Sequence, residues 1–408
     1  MKVLKFGGSS MATPQSIKKV AEIIKKTDDC VVVVSAPGKR FEGDKKITDI
    51  LLDCYNAYIK FGRCDIKFKE VSKRFEELSS ALKINCLGPL LSDVKNEINA
   101  GKSIGYASSR GEFLIAKLLA EYVGVEFVDA VGLVKFDCAG KIDCEASRRK
   151  IDKKLRGLGA CIVPGFYGVL PNGIIRTFDR GGSDITGSLI ASSLQAEVYE
   201  NWTDVDGVYF ANPNFVSKNK LISALSYDEM KLLSFMGACV LHYDSVSHAI
   251  KDGIPVMIKN TFNPRSIGSV VSIKNASETV CGVSIKENLC LWEYDDSSFF
   301  EAYFSAKTFV MRLPSSQRKL VVTEEISEEE KEDITSASGC VQVKNISIIT
   351  AVGENIKKSV CQVTKRILNC VENLEFLVYD GGIGVYVGLG ADEAVMAYQK
   401  ICDSLDFD

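Results

Sequence analysis

The chain has 408 residues, with 50 Lys and Arg against 53 Asp and Glu, and a formal net charge of −3. This length exceeds one ordinary hydrophobic core and predicts at least two domains. The near-balanced charge and the absence of a bilayer-length apolar run exclude an electrostatic nucleic-acid binder and a membrane-spanning protein as expected classes. The 14 cysteines include no Cys-x-x-Cys pair, which predicts reduced thiols and a cytoplasmic location.

Strands and helices alternate through the first 270 residues. Predicted strands are Val3–Phe6, Val31–Val34, Glu126–Asp129, Cys161–Phe166, Glu197–Trp202 and Pro255–Lys259. Predicted helices are Pro14–Lys26, Thr48–Leu82, Phe113–Tyr122, Ser183–Leu194 and a helix pair in Ser226–Ile250. The unbroken valine run Val31–Val34 is typical of a strand buried on both faces of a parallel sheet. The alternation therefore predicts an α/β sandwich around a mostly parallel sheet.

The pattern changes after Gly268, where strands alternate with two shorter helices. Val283–Leu291 resembles Val341–Ile349, and each reads as a strand, a polar turn and a second apolar stretch. Two related βαββαβ units of an α+β region would explain this internal repeat. The acidic run Glu324–Asp333 is interpreted as a solvated surface without an assigned function.

The first segment that could carry chemistry is Lys5–Ser10, where a lysine at a strand end precedes two glycines and two serines. Glycines allow backbone N–H groups to converge on an anion, and the lysine adds a mobile positive charge. The segment is a candidate phosphate cradle, although it is not the G-x-x-x-x-G-K-[ST] loop. Taken alone, a tight turn between strand and helix explains it more simply.

A second segment, Phe178–Gly187, combines an arginine, two glycines and an acid before a predicted helix. Arg180 offers a planar fork suited to a carboxylate. Ser183 or Asp184 is predicted to cap the helix that follows. The alternative is a capped helix with a surface arginine.

Two further segments place polar groups beside apolar elements. Trp202–Tyr209 ends a predicted strand in acids and a turn, the usual position of a ligand edge in an open α/β sheet, although a turn alone would also explain it. Ser108–Glu112 precedes the predicted helix Phe113–Tyr122. Glu112 near a helix N-terminus is favoured by the macrodipole, so helix stabilisation and ligand binding stay equally open.

Together these segments resemble the aspartate kinases. The matching family motifs are K-F-G-G-[TS]-S at Lys5–Ser10, the glutamate-bearing turn at Ser108–Glu112, R-G-G-S-D at Arg180–Asp184, W-T-D-V-x-G-[VI]-Y at Trp202–Tyr209, S-Y-x-E at Ser226–Glu229, G-A-K-V-L-H at Gly237–His242, and the short matches Ile254–Val256 and Asn263–Pro264. Their order and spacing agree across residues 1–270. The resemblance implies a three-layer αβα amino acid kinase fold in residues 1–270. It also implies two ACT-like, ferredoxin-like regulatory modules in residues 271–408, which commonly bind lysine or threonine and form a homodimer.

The implied reaction transfers the γ-phosphoryl group of ATP to the side-chain carboxylate of L-aspartate, the first step of lysine, threonine and methionine biosynthesis. This acceptor is already ionised at pH 7 and needs no general base, which agrees with a chain of only two histidines. Mg²⁺ would bridge the ATP oxygens, held more by phosphate and water than by protein ligands.

The site roles are as follows. We assign Lys5 to the transferring phosphates, beside the backbone of Gly7, Gly8 and Ser9. The resemblance assigns Arg180 to a substrate carboxylate, Glu112 to the aspartate amino group, Thr48 and Ser183 to the substrate pocket, Asp184 to organising the centre, and Thr203, Asp204, Tyr209, Cys239 and Val240 to the nucleotide.

The sequence departs from the family at two cationic positions. Asn214 stands where the family usually has the arginine of D-P-R, and Cys239 stands where it has the lysine of G-A-K-V-L-H. We predict weaker ATP binding or a shifted nucleotide preference, with catalysis retained because Lys5 and Arg180 remain. The serine-bearing effector turn of the family is hard to find near Lys307–Val322, so feedback by lysine is an open hypothesis.

Two other functions are compatible with parts of the sequence. One is a related amino acid kinase acting on glutamate, acetylglutamate or a nucleotide, against which the ACT-like region and the S-Y-x-E segment argue. The other is a catalytically idle amino-acid sensor, which the two missing cations allow. The intact Lys5, Glu112, Arg180 and Asp184 argue against the sensor.

Overall fold

The chain divides into two compact units. The computed structural model describes residues 1–179, 181–217, 219–238, 241, 243–273, 278–294, 310–313, 319–327, 329–332, 335 and 340–405. The first unit contains Met1–Gly207 and Leu241–Ile273, and the second contains Val208–Val240 and Lys274–Asp408. The predicted functional boundary at residue 270 remains a prediction, and the compact units additionally group Val208–Val240 with the C-terminal residues. No helix of the described segments has the length and apolar character needed to cross a bilayer.

The elements of the first unit follow the predicted alternation. They are β1 (Lys2–Phe6), α1 (Pro14–Lys25), β2 (Cys30–Val34), α2 (Ile47–Phe61), α3 (Asp65–Leu82), α4 (Leu87–Asn99), α5 (Ile104–Val123), β3 (Glu126–Phe127), α6 (Cys144–Leu155), β4 (Cys161–Pro164), β5 (Tyr167–Val169), β6 (Ile175–Thr177), α7 (Gly182–Leu194) and β7 (Tyr199–Thr203). After β8 (Ala224–Ser226) and α8 (Tyr227–Phe235) in the second unit, α9 (Ser247–Lys251), β9 (Val256–Asn260) and β10 (Ser269–Ser272) return to the first.

The sheet of the first unit runs in the order β3-β4-β2-β1-β7-β9-β10. All neighbouring pairs from β3 to β9 are parallel, and only β10 pairs antiparallel with β9. All five residues of β2 are buried, as expected for a strand covered on both faces. The predicted α/β fold with a mostly parallel sheet is confirmed.

The register of the central strands positions the site. Phe6 at the end of β1 pairs with Val34 of β2 on one side and Trp202 of β7 on the other. Because the strands are parallel, the segments that follow them emerge at the same edge of the sheet. That edge is where open α/β sheets bind their ligands.

Two predictions about helix ends were wrong. Helix α5 begins at Ile104, so Glu112 lies in its third turn and not at its N-terminus. The sequence pattern did not reveal the first turns of this helix because they contain polar residues. In the structure the Ser108 and Ser109 hydroxyls donate hydrogen bonds to helical carbonyls. The macrodipole argument for Glu112 therefore does not hold.

The start of α7 also differs from the prediction. Its N-cap is Gly181, in the left-handed region at φ 61°, with no side-chain capping bond from Ser183 or Asp184. Glycine reaches this conformation without steric cost. The Asp184 carboxylate is instead used elsewhere, in the site described below.

In its described residues, the C-terminal part of the second unit has a six-stranded antiparallel sheet and two helices described over their full length, and residues 329–332 are helical as well. Its elements are β11 (Gly282–Tyr294), β12 (Val310–Leu313), β13 (Lys319–Glu324), β14 (Cys340–Val352), α10 (Val360–Leu368), β15 (Phe376–Tyr379), β16 (Gly384–Gly390) and α11 (Ala391–Leu405). The strand order is β12-β13-β11-β14-β16-β15, so equivalent strands lie at equal distances from the central pair. This symmetry agrees with the predicted repeat. The polar turn predicted within each copy is wrong, because β11 and β14 are continuous strands, with only a register shift between Lys286 and Leu289. Of the region near Lys307–Val322, where the family's effector turn is hard to find in the sequence, only the parts in β12 and β13 belong to the described residues.

Candidate active site

Loops at the carboxyl ends of the central strands, together with α2 and α5, enclose a cleft of about 510 Å³. Seven predicted site residues line it: Gly7, Gly8, Ser9, Thr48, Glu112, Thr203 and Asp204. The other lining residues are Ser35, Ala36, Pro37, Gly38, Lys39 and Lys46. The fold thus brings together residues that are up to 197 positions apart in the chain.

Backbone packing forms the floor of the cleft. The Gly38 N–H donates a 2.9 Å hydrogen bond to the carbonyl of Gly8. A Cβ added at Gly38 would lie 2.8 Å from the carbonyl carbon of Gly8, and one at Gly8 would lie 3.1 Å from the carbonyl oxygen of Ala36. The two loops can approach this closely only because both positions are glycine.

Lys5 is held in one position beneath the glycine loop. Its ammonium lies 2.9 Å from the Asp184 carboxylate, and the Asn201 side-chain amide donates a 2.8 Å bond to the same carboxylate. Lys5 is buried, and its Nζ lies 3.7 Å from where a Cβ on Gly7 would stand. The positive charge therefore lies directly behind a backbone segment that lines the cleft.

Glu112 presents a buried carboxyl group to the cleft. One of its oxygens, Oε2, has no hydrogen-bond partner among the described residues. Burial raises the pKa of Glu112 to about 8, against the opposing effects of the Ala36 backbone N–H and the Arg110 guanidinium. A buried carboxyl with an unsatisfied oxygen in a cleft is suited to receive a cationic group of a ligand.

The remaining predicted site residues are not all described. Arg180, Cys239 and Val240 lie outside the described residues, so their assigned roles stay predictions. Tyr209 is half-buried and belongs to the second compact unit. Ser183 is buried in the first turn of α7 and is not among the described residues that line the cleft.

Sequence reasoning missed three residues of the site. Asn201 orients Asp184 from the middle of the largely buried strand β7, and no local pattern marks it. Lys39 and Lys46 line the cleft from the polar stretch that joins β2 to α2. The available signal was four cations within eight residues after the Ser-Ala-Pro-Gly turn, a run that otherwise reads as a solvated loop.

Comparison with known proteins gives one consistent result. Residues 1–260 match the model of the amino acid kinase family. Aspartokinase 3 of Bacillus subtilis is 36% identical over 345 residues, which cover 80% of this chain and 73% of that protein. The crystal structure of Clostridium acetobutylicum aspartate kinase has a TM-score of 0.93 at 32% identity, covering 99% of this chain and 100% of that one.

More distant structures share the fold. Two structures of E. coli aspartokinase III, one with aspartate and ADP and one with lysine and aspartate, have TM-scores of 0.78 and 0.80 at 20% and 21% identity, over 100% of each chain. The chain belongs to the amino acid kinase family and, within it, to the aspartokinases.

Proposed function

We propose that this chain is an aspartate kinase, which transfers the γ-phosphoryl group of ATP to the β-carboxylate of L-aspartate and forms 4-phospho-L-aspartate. The observation that carries the proposal is a cleft lined by a glycine loop and a buried carboxyl group, with the ion-paired Lys5 next to the glycine loop. A relative with 36% identity carries the name aspartokinase, and a structure with 32% identity is an aspartate kinase. The reaction would be the first step of lysine, threonine and methionine biosynthesis.

The barrier to this reaction is the approach of a carboxylate to a polyphosphate. The acceptor is a nucleophile as it stands, so no proton has to be removed. Catalysis then depends on positioning and on charge stabilisation in the transition state. Asp184 and Asn201 hold Lys5 in place beforehand, so its ammonium need not reorganise as negative charge develops on the transferring group. The backbone N–H groups of Gly7 and Gly8 are proposed to bind phosphate oxygens beside it.

The acceptor site is proposed to recognise both charged ends of aspartate. Glu112 would bind the α-ammonium group, because its Oε2 is buried without a partner among the described residues. Thr48 lines the same cleft and would contact the substrate from the first turn of α2. Arg180 and Ser183 are proposed to hold a substrate carboxylate, by the family pattern. Thr203, Asp204, Tyr209, Cys239 and Val240 are proposed to contact the nucleotide.

The site offers the Asp204 carboxylate to a magnesium ion that would arrive with the nucleotide. Asp184 is already bound to Lys5 and Asn201, and Asp204 accepts a 3.1 Å hydrogen bond from the Thr203 hydroxyl. No cluster of three or more potential protein ligands occurs among the described residues. Mg²⁺, which keeps several waters and binds phosphate oxygens, would neutralise phosphate charge with Asp204 as the available protein carboxylate.

Regulation and assembly are proposed by the family pattern. The C. acetobutylicum relative is described as an allosteric enzyme, and E. coli aspartokinase III binds lysine in a T-state. We propose that lysine or threonine binds the ACT-like region of this chain, that the region forms a homodimer, and that the protein works in the cytoplasm.

Hydroxylamine trapping of the acyl phosphate tests the activity. We expect ATP-dependent aspartyl hydroxamate from the wild type, and little from glutamate or acetylglutamate. Lys5→Ala should lower kcat about 10²–10³-fold, the usual size of a lost electrostatic contact to a transition state. Lys2→Ala is the matched control, since Lys2 is on the same strand and pairs with Glu200 at 3.5 Å. Near-normal turnover by Lys5→Ala would refute the assignment of Lys5.

A further inference from the structure

The loop between β2 and α2 carries four cationic residues that line two different cavities. The cations are Lys39, Arg40, Lys45 and Lys46. Arg40 pairs with Asp44 at 2.9 Å and with Glu77 at 3.1 Å, while Lys45 pairs with Asp53 at 2.9 Å. These two line a separate outer hollow, away from the catalytic cleft.

Lys39 and Lys46 differ from their two neighbours. Both are exposed, and both line the cleft that holds the glycine loop and Glu112. No hydrogen bond or ion pair joins either ammonium group to another residue in the described part of the chain. Two positively charged residues therefore line the cleft without an ion-pair partner among the described residues.

A buried arginine fixes the loop at both ends. Arg74 of α3 is 3% exposed and donates to the Gly38 carbonyl at 2.6 Å and to the Lys45 carbonyl at 3.3 Å. It also pairs with Asp44 at 3.0 Å. The Arg40 guanidinium, with help from Arg74, holds the pKa of Asp44 well below its usual range, so this clamp stays ionised near neutral pH. Arg74 thus holds both ends of the loop by hydrogen bonds, and Lys39 and Lys46 of the same loop line the cleft.

The charge of the reaction gives these lysines a role. ATP and aspartate are both anionic, and the family cations at positions 214 and 239 are replaced by Asn and Cys in this chain. We propose that Lys39 and Lys46 bind oxyanions of the reactants, either phosphate oxygens of the nucleotide or a carboxylate of the acceptor, and that Arg74 is a positioning residue that acts through them. The proposal rests on the proposed function and identifies further binding residues for it.

The test compares three single lysine variants of the same loop. Lys39→Ala and Lys46→Ala remove a charge that faces the cleft, and Lys45→Ala removes the same charge on the outer side. In the hydroxamate assay we expect each cleft variant to raise the KM of one substrate about tenfold, the size of a lost charge-assisted contact, and Lys45→Ala to change it less than twofold. A rise in the KM of ATP identifies phosphate as the ligand, and a rise in the KM of aspartate identifies carboxylate.

Two controls keep the outcomes separate. All three lysines are exposed, so thermal unfolding should give the same midpoint for the three variants. If the wild type is active and both cleft variants match Lys45→Ala in KM and kcat, this inference is wrong while the proposed function stands. If the wild type forms no aspartyl hydroxamate at all, the proposed function fails and the inference fails with it.

A double-mutant cycle tests the positioning role of Arg74. Arg74→Lys retains a charge but cannot reach both carbonyls and Asp44 in a fixed fork geometry. We expect it to raise the same KM as the lysine variants in the wild-type background, and to leave KM unchanged in a Lys39→Ala, Lys46→Ala background. An equal rise in both backgrounds would show that Arg74 does not act through these lysines.

Discussion

At the scale of single residues, the site depends on side chains whose environment is set by distant parts of the chain. Lys5 and Asp184 are recognisable in their motifs, but their 2.9 Å contact joins β1 to α7. The Asn201 side chain on β7 donates a hydrogen bond to the same Asp184 carboxylate. A lysine in this setting is positioned before the substrates arrive, which is the condition for effective electrostatic catalysis.

The proposed contact between Glu112 and the ammonium group of aspartate predicts that the binding of aspartate depends on pH. Its pKa of about 8 means that the free enzyme holds the carboxyl largely protonated at pH 7. An incoming ammonium group favours the ionised form, so binding releases a proton. We expect the KM of aspartate to fall as pH rises from about 6 to about 8, approaching tenfold per pH unit well below the pKa. Initial rates across this range measure the effect.

The Glu112→Gln variant is the control for this prediction. Glutamine has nearly the same shape without titrating, so the KM of aspartate should be high and nearly independent of pH between 6 and 8. The folded carboxyl holds its proton more tightly than the unfolded one, so the wild type should lose stability relative to the variant as pH rises from about 4.5 to about 8. Arg110 and the cleft groups Lys39, Lys46 and Asp204 remain in both proteins. Parallel KM profiles for wild type and variant would rule out Glu112 as the titrating group.

At the scale of elements, glycines decide how closely the parts of the site approach. Gly111 in α5 packs against the loop after β2 and the first residue of α2, since a Cβ there would lie 2.7 Å from the Cβ of Ala36 and 3.0 Å from Cγ2 of Ile47. This contact brings Glu112 to the wall of the cleft. A family motif that reads as a glutamate-bearing turn is therefore the middle of a long helix, packed through its glycine.

Gly38→Ala should separate the two loops that form the cleft floor. Its Cβ would meet Gly8 backbone atoms at 2.8 Å, and backbone cannot rotate away as a side chain can. We expect a loss of stability of about 1–3 kcal/mol. We also expect kcat to fall by more than the reduced fraction of folded protein accounts for. Urea unfolding and the hydroxamate assay measure the two effects.

Gly88→Ala is the matched control for that substitution. Gly88 lies in α4, and a Cβ there would meet no atom within 4 Å apart from its chain neighbours and the backbone of its own helix. Because Gly88 precedes Pro89, whose ring disfavours the helical conformation of a residue with a Cβ, alanine should not bring the usual helical gain. We expect the stability to change by less than about 1 kcal/mol and kcat to stay unchanged. Unchanged kcat in Gly38→Ala as well would contradict the idea that the close approach of the two loops matters for catalysis.

The S-Y-x-E segment shows a different kind of element-scale role. Ser226 and Glu229 form a capping box at the start of α8. The Glu229 side chain is buried and also accepts a 2.9 Å bond from the backbone N–H of Glu354, in the turn after β14. Within the second unit, this carboxylate therefore ties α8 to the six-stranded sheet, which explains why a glutamate is suited to the position.

At the scale of the whole molecule, the ACT-like region predicts feedback by an amino acid. We expect lysine or threonine to inhibit hydroxamate formation, and titration with each in parallel identifies the effector. Linkage requires the effect to be reciprocal. If the effector weakens the binding of aspartate and a non-hydrolysable ATP analogue by some factor, the two bound substrates should weaken effector binding by the same factor. Calorimetric titration with and without the substrates measures this factor. Failure of both amino acids to bind or inhibit would remove them as effectors.

The sequence by itself determined the kinds of elements and the chemistry available. The valine run of β2, the glycine pairs and the periodic helix of α1 act through neighbouring residues, so their patterns are visible locally. Only the tertiary structure decided which groups meet and in what environment. Among the described residues, Glu112 is buried with an oxygen that has no hydrogen-bond partner, and Asp184 contacts Lys5 and Asn201. Lys39 and Lys46 line the cleft, whereas Arg40 and Lys45 line a separate cavity. Burial and pairing of this kind arise from contacts between residues far apart in the chain, which no local pattern records.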